Sequence, residues 1–160
     1  MAAVFENAPP TIHRAERDLP FVTLADGIDL QLLQVDLAAG VWVVRNRFRP
    51  GVTVQTHKHT GHVHAFTLAG TWHYLESPEA VCRAGSYLFE PAGSTHTLHV
   101  PAGNDEVTDV WFTVHGANLN LDAQGRVEVV VDAHLLLPLY RAMCEQQHGI
   151  DDPPVVVLES

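Results

Sequence analysis

Seven histidines, His57, His59, His62, His64, His73, His96 and His99, fall within one short part of a 160-residue chain that has 11 in all. A neutral imidazole binds first-row transition metals through one ring nitrogen, and imidazoles also move protons near neutral pH. The spacing within Gly51-VTVQT-His57-Lys58-His59-TGHV-His64-AFTLA-Gly70 points to the first use. Alternate residues of a strand share a face. His57 and His59 therefore project together, and two imidazoles on one rigid strand are half of a metal site. After the Thr60-Gly61 turn, His64 opens the next strand and shares its face with Phe66 and Leu68. The second stretch is Gly85-SYLFE-Pro91-Ala92-Gly93-Ser94-Thr95-His96, in which Pro91 and Gly93 form a tight turn aimed at His96. If the two stretches pair across one barrel, His96 completes a three-imidazole face. Burying three such rings without a metal would leave polar nitrogens in need of partners.

Groups suited to acid–base and ring-binding work stand nearby. Trp72, Tyr74 and Glu76 share one face of a strand. On an inward face Tyr74 can donate to a substrate oxygen and Trp72 can stack on a ring. Glu90 precedes the Pro91 turn and can act as a base for enolisation if burial tunes it. Phe66 and Trp111 complete the expected substrate wall. The competing reading is that a barrel needs inward aromatics simply to fill it. Among the other histidines, His62 is expected in a solvent-facing turn and His73 outward, opposite Tyr74. His99 is ambiguous, and His13, His115, His134 and His148 carry no spacing signal and are expected at the surface or an interface.

The elements that must hold these groups are short strands. Val41–Arg49 alternates, with Trp42, Val44, Asn46 and Phe48 on one face and Val43, Arg45, Arg47 and Arg49 on the other, the pattern of a half-buried strand. Asp26-Gly27, Pro50-Gly51, Ala69-Gly70 and Ala123-Gln124-Gly125 punctuate further runs at Phe21–Ala25, Ile28–Asp36, Thr53–Lys58, His64–Leu68, Thr71–Glu76, Ser86–Phe89, Thr97–Val100, Val107–His115 and Arg126–Val131. Even spacing of short strands predicts an all-β sandwich or small barrel over 21–131. Residues 1–20 read as an N-terminal arm. From 132 the pattern changes: Asp132 is placed to cap a helix, apolar residues recur at helical spacing to Cys144, and Gly149 is a stop. Pro138 is expected to kink or restart that helix. The tail Val155–Leu158 is expected to dock on the sheet or on a neighbouring chain, and 132–160 to belong to the same single domain.

Composition narrows the function classes. The formal net charge is −10, which lacks the basic footprint of a nucleic-acid binder and disfavours an anionic membrane surface. Cys82 and Cys144 make no disulfide framework and are expected as reduced, buried thiols. No secretory pattern or apolar run of membrane length is visible, so a cytoplasmic protein is expected.

The two histidine stretches resemble the cupin superfamily. Gly51, His57, His59, Gly70, Gly85, Pro91, Gly93 and His96 stand at the spacing of its two motifs. Two positions depart: His64 stands where the superfamily usually has Glu, and Val100 where it often has Asn. The segments THKHTGHVHAFTLAGTWHYLE, AGSYLFEPAGSTHTL and EVTDVWFTVHGANLNLDAQG further resemble the 2,4'-dihydroxyacetophenone dioxygenases over about 50–150, and more distantly the acetylacetone-cleaving dioxygenases.

The resemblance implies a cupin double-stranded β-helix, or jelly-roll barrel, with a short C-terminal helix. It also implies Fe(II) held by His57, His59 and His96, and cleavage of a C–C bond next to a ketone in a small, aromatic hydroxyketone, with O₂ as co-substrate. A site of imidazoles alone leaves the ion two positive charges and three open positions, enough for a chelating ketone and O₂. His64 is either a loose fourth ligand or a group that orients water, substrate or O₂ without binding the ion, and the second is favoured. Imidazoles also accept Zn, Ni, Cu and Mn. The alternatives are an O₂-independent metal-dependent isomerase or lyase, and a regulatory cupin that binds metal or a small ligand. A homodimer or homotetramer is expected, since edge strands need covering.

Overall fold

A computed structural model describes residues 9–159. After a single 3₁₀ turn at Glu16–Asp18, the strands are β1 (Val22–Ala25), β2 (Ile28–Asp36), β3 (Val41–Phe48), β4 (His57–His59), β5 (Val63–Ala69), β6 (Thr71–Tyr74) and β7 (Ser77–Arg83). They continue as β8 (Tyr87–Glu90), β9 (Thr95–His96), β10 (Leu98–His99), β11 (Thr108–His115), β12 (Asn118–Leu121) and β13 (Val127–Val131). Helix α1 (Ala133–His148) and β14 (Val156–Leu158) close the chain.

One sheet runs β1-β2-β3-β11-β5-β8, with β14 beside the second half of β2. The opposite wall consists of a sheet ordered β10-β6-β7 and one ordered β13-β12-β4-β9. Every pairing is antiparallel except that of β14 with β2. This is the expected all-β cupin barrel. The tail docks on its own sheet, Val156 opposite Gln34.

Period two explains the walls. In β3, Trp42, Val44, Asn46 and Phe48 are buried, and the alternate positions face out. The outward arginines carry the arm: Arg45 grips Asp109 with two bonds of 2.7 Å and reaches Glu16 at 2.6 Å, while Arg47 meets the same two carboxylates. In β5, Val63, Ala65 and Thr67 point inward, leaving His64, Phe66 and Leu68 on the outer face.

Two apolar clusters fill the barrel. One joins Leu32, Val35 and Trp42 to Leu136 and Tyr140 of α1. The other joins Phe48, Ala65, Trp72, Cys82, Leu98 and Val110 across the two walls. Both cysteines are buried and unpaired.

Some boundaries differ from those read in the sequence. The expected strand Thr53–Lys58 shrinks to β4, with Thr53 making one isolated bridge to His99. The expected Thr97–Val100 splits because His96 pairs with β4 while Leu98 pairs with β6, so the chain changes sheets there. β7 carries Pro78 and is mostly exposed; proline is tolerated on such an edge but hides a strand from a sequence reading. β12 was also absent from the sequence reading.

Helix α1 runs without interruption through Pro138. The proline is exposed, as is His134 one turn before it, so water can reach the carbonyl that loses its partner. Asp132 caps the helix by accepting from the Leu135 amide at 2.8 Å. Asp132→Ala should therefore cost about 1 kcal/mol, read as a lower denaturant midpoint with an unchanged slope. Among the described residues, no helix is long and apolar enough to cross a membrane.

Candidate metal centre

β4 turns His57 and His59 into the barrel and Lys58 out of it. β9 lies antiparallel to it with His96 directly opposite His57. The Pro91–His96 turn is tied to the same strand, since the His59 amide donates to Ser94 O at 2.9 Å and the Gly93 amide to His59 O at 2.8 Å. Gly93 has φ +86°, the left-handed conformation that this reversal requires.

The three imidazoles form a near-equilateral triangle with ring-centroid separations of 4.8, 5.0 and 4.9 Å. Their candidate ligand atoms all lie within 4.8 Å of one another. His59 Nε2 and His96 Nε2 are 2.9 Å apart. His57 Nδ1 lies 3.0 Å from Gln55 O. A carbonyl only accepts, so the proton sits on Nδ1 and the Nε2 lone pair is left free, as metal-binding histidines are commonly arranged.

Glu90, at the end of β8, joins the triangle. Its Oε2 lies 2.7 Å from His59 Nε2 and 3.2 Å from His96 Nε2, while its Oε1 accepts from the Tyr74 hydroxyl. The Tyr74 ring stacks on His96, 3.7 Å away and tilted by 8°. Yet Glu90 Oε2 is buried without a hydrogen-bond partner among the described residues, against the two Nε2 atoms. Lone pairs crowded together without donors are costly. A divalent cation is the group that satisfies such a donor set, so the residues present fit a metal. With Glu90 beside the imidazoles, the net charge of an occupied site is one rather than the two expected of histidines alone.

Burial holds the His57 pKa down at about 4, outweighing its bond to Gln55. Burial alone would raise Glu90, but His59, His96 and Tyr74 bring it to about 2. Burial, then the Glu90 carboxylate, pushes the Tyr74 phenol up, so it remains a donor.

His57 yields a pH prediction for metal-free protein. Its folded value lies below the ordinary 6.5, so the unfolded chain binds the proton first. Stability should be intact above pH 6.5 and fall as pH drops toward 4, by up to about 3 kcal/mol from this group. Replacing His57 with Gln should flatten that part of an unfolding-versus-pH curve.

A cavity of about 220 Å³ opens beside the triangle. Val44, Phe48, Leu98 and Phe112 supply apolar walls, and His57, His59, Tyr74, Glu90, Asn118 and Asn120 supply polar atoms.

The other expected site residues lie elsewhere. His64 does not face the triangle: Val63 takes the inward position after the turn, because the strand begins one residue earlier than its first histidine. Phe66 and Trp111 are paired across β5 and β11 on the outer face, 50% and 39% exposed, and line no part of the cavity. Trp72 is fully buried behind Tyr74, with its indole N–H donating to Thr67 Oγ1 at 2.9 Å, so its role is packing. Glu76 accepts from Thr97 instead of facing the site.

Asn118 and Asn120 were missed. In β12 they stand opposite His59 and His57, and Asn118 Oδ1 is buried without a partner. Their signal was the alternation Asn-Leu-Asn-Leu, which puts polar side chains on one face of a strand.

The family described as the ChrR cupin-like domain matches residues 11–118. A structure from Ralstonia eutropha JMP134, described as a protein of unknown function with a cupin-like fold, is 31% identical over 93% of this chain and 96% of its own, with a TM-score of 0.79. An RmlC-like cupin from the same organism is 24% identical over 99% and 100%, with a TM-score of 0.86. An acetylacetone dioxygenase from Acinetobacter johnsonii shares the fold at 20% identity over 86% and 94%, with a TM-score of 0.73. No curated protein matches the chain. With the family match spanning most of the barrel and the three-histidine centre inside it, the chain belongs to the ChrR cupin-like domain family of the cupin superfamily.

Proposed function

We propose that this protein is an Fe(II)-dependent dioxygenase that cleaves the C–C bond beside the carbonyl of a small ketone carrying an adjacent oxygen function, a hydroxyketone being the leading case. The observation that carries the reading is the convergence of three imidazoles and a buried carboxylate, of which His57, His59 and Glu90 line one small apolar cavity. His57, His59 and His96 would hold the ion. Bound iron supplies Lewis-acid and redox chemistry toward a ketone and O₂.

The rest falls to the chain. Glu90 is ionised at neutral pH, and its Oε2 has a free lone pair turned toward the centre. A carboxylate of such low pKa is a weak base, so it takes the proton from the carbon next to the substrate carbonyl where the adjacent oxygen function acidifies that position, which leaves the substrate as an enolate. Tyr74 holds the other carboxylate oxygen and presses on His96, fixing both groups in place. Asn118 Oδ1 accepts from the substrate hydroxyl. The walls around Phe48 and Phe112 exclude water and select by size, since a cavity of about 220 Å³ admits one ring and little more.

Anaerobic loading with Fe(II), followed by an oxygen-electrode assay over a panel of hydroxyacetophenones and β-diketones, tests the proposal. Stoichiometric O₂ uptake with at least one chelating ketone is expected, and none with simple ketones. Turnover under strict anaerobiosis would instead mark an isomerase or lyase that uses the same carboxylate for proton transfer.

A further inference from the structure

The barrel carries a second histidine cluster that the centre above does not use. His62 lies in the connection between β4 and β5, His64 lies on β5, and His115 ends β11. All three are half-buried on the outer side of the seven-stranded sheet, and their candidate ligand atoms lie within 4.8 Å of one another. We infer that His62, His64 and His115 form a second, external transition-metal site, one that takes Zn(II) or a similar borderline cation.

The backbone under this cluster is held firmly. The His115 amide donates to His62 O at 3.0 Å, and Gly61 lies so close that a Cβ there would sit 2.2 Å from His115 O. The strand end and the connection are thus locked together at a position where only glycine fits. The His62 and His115 rings stack with centroids 3.9 Å apart and an interplanar angle of 24°. The His64 ring stands 5.3 Å from His62 and 6.2 Å from His115, roughly perpendicular to both. A ring nitrogen binds metal through a lone pair in the ring plane, so one ring of this stack must turn for the three to converge on an ion.

His64 Nδ1 lies 2.9 Å from the Tyr87 hydroxyl, which orients the ring and leaves Nε2 available. Such an outer partner is a regular companion of a metal-binding imidazole. The cluster contains imidazoles alone. Neutral nitrogen donors without carboxylates suit Zn, Cu, Ni and Co, whereas Ca and Mg require oxygen. All three side chains are only half-buried, so solvent reaches the cluster.

The test is a titration of chelator-stripped protein with Zn(II) at micromolar concentration and pH 7.5, with bound metal counted by equilibrium dialysis. Wild type is expected to bind two equivalents per chain. His115→Asn and His62→Asn should each bind one and keep their far-ultraviolet spectrum, since both positions are partly exposed. His59→Ala should retain one equivalent, and zinc should still raise its melting temperature; adding His115→Asn should abolish that rise. A single equivalent in wild type that His115→Asn retains would overturn the inference, as would two equivalents retained in His115→Asn. Failure of the inner centre would be seen separately, as a single equivalent in wild type that His59→Ala retains and His115→Asn loses.

Discussion

His96→Ala is expected to abolish metal loading at the inner centre and, with it, all oxygen consumption. His96 comes from a two-residue strand, and its ring nitrogen lies 2.9 Å from that of His59 and 3.2 Å from the Glu90 carboxylate. Without it, the two rings of β4 keep a carboxylate but lose the third nitrogen donor. Removing a partner that merely supports a ligand weakens metal binding by about 10–100-fold, and loss of a ligand should exceed that. Elemental analysis of protein reconstituted with iron should show the inner equivalent gone, and the oxygen electrode should show no turnover. The barrel should survive, because His96 contributes little to the apolar clusters that hold the walls together. His96→Gln keeps most of the volume against the Tyr74 ring and should fail in the same way. Full iron content in either variant would remove the basis of the proposed activity.

Glu90→Gln should separate holding the metal from moving the proton. The amide is nearly isosteric and can still accept from Tyr74, so the three imidazoles should keep their ion. It cannot take a proton from carbon. On the proposed reading kcat should fall by about 10²–10⁴-fold, the usual worth of a positioned base, with little change in KM. Tyr74→Phe should fall less, because the phenol positions the carboxylate without exchanging a proton with substrate. Steady-state kinetics paired with metal analysis of the same samples checks both. Unchanged kcat in Glu90→Gln would dismiss the base. Loss of metal as complete as in His96→Ala would make Glu90 a ligand instead.

Strand parity explains much of what could be read in advance. In β3 and β4, apolar and histidine side chains alternate with exposed ones as period two demands, so the inward aim of His57 and His59 follows from their spacing alone. The His96 turn was legible for a different reason: Pro91 fixes its own φ, and Gly93 can adopt the left-handed conformation that the reversal needs. Parity failed where the chain turned. His64 was counted inward from the start of its strand, but the tight connection through Gly61 begins β5 at Val63 and places His64, with Phe66, on the outer face. Trp111 followed the same error, since it pairs with Phe66.

Local information thus determined the barrel class, the capped helix and the two histidine stretches, because periodicity, capping and turn chemistry act within a few residues. Tertiary structure alone decided what those stretches meet. That Glu90 closes over His59 and His96, that Tyr74 lies flat on an imidazole, and that Asn118 faces the same cavity all depend on which strands become neighbours. So does the outer cluster, in which His115 joins His62 and His64 across more than fifty positions of sequence, a distance over which no periodicity persists. Pairing between remote strands is set by the burial of whole faces against one another, and that information is spread over the entire chain rather than carried by any motif.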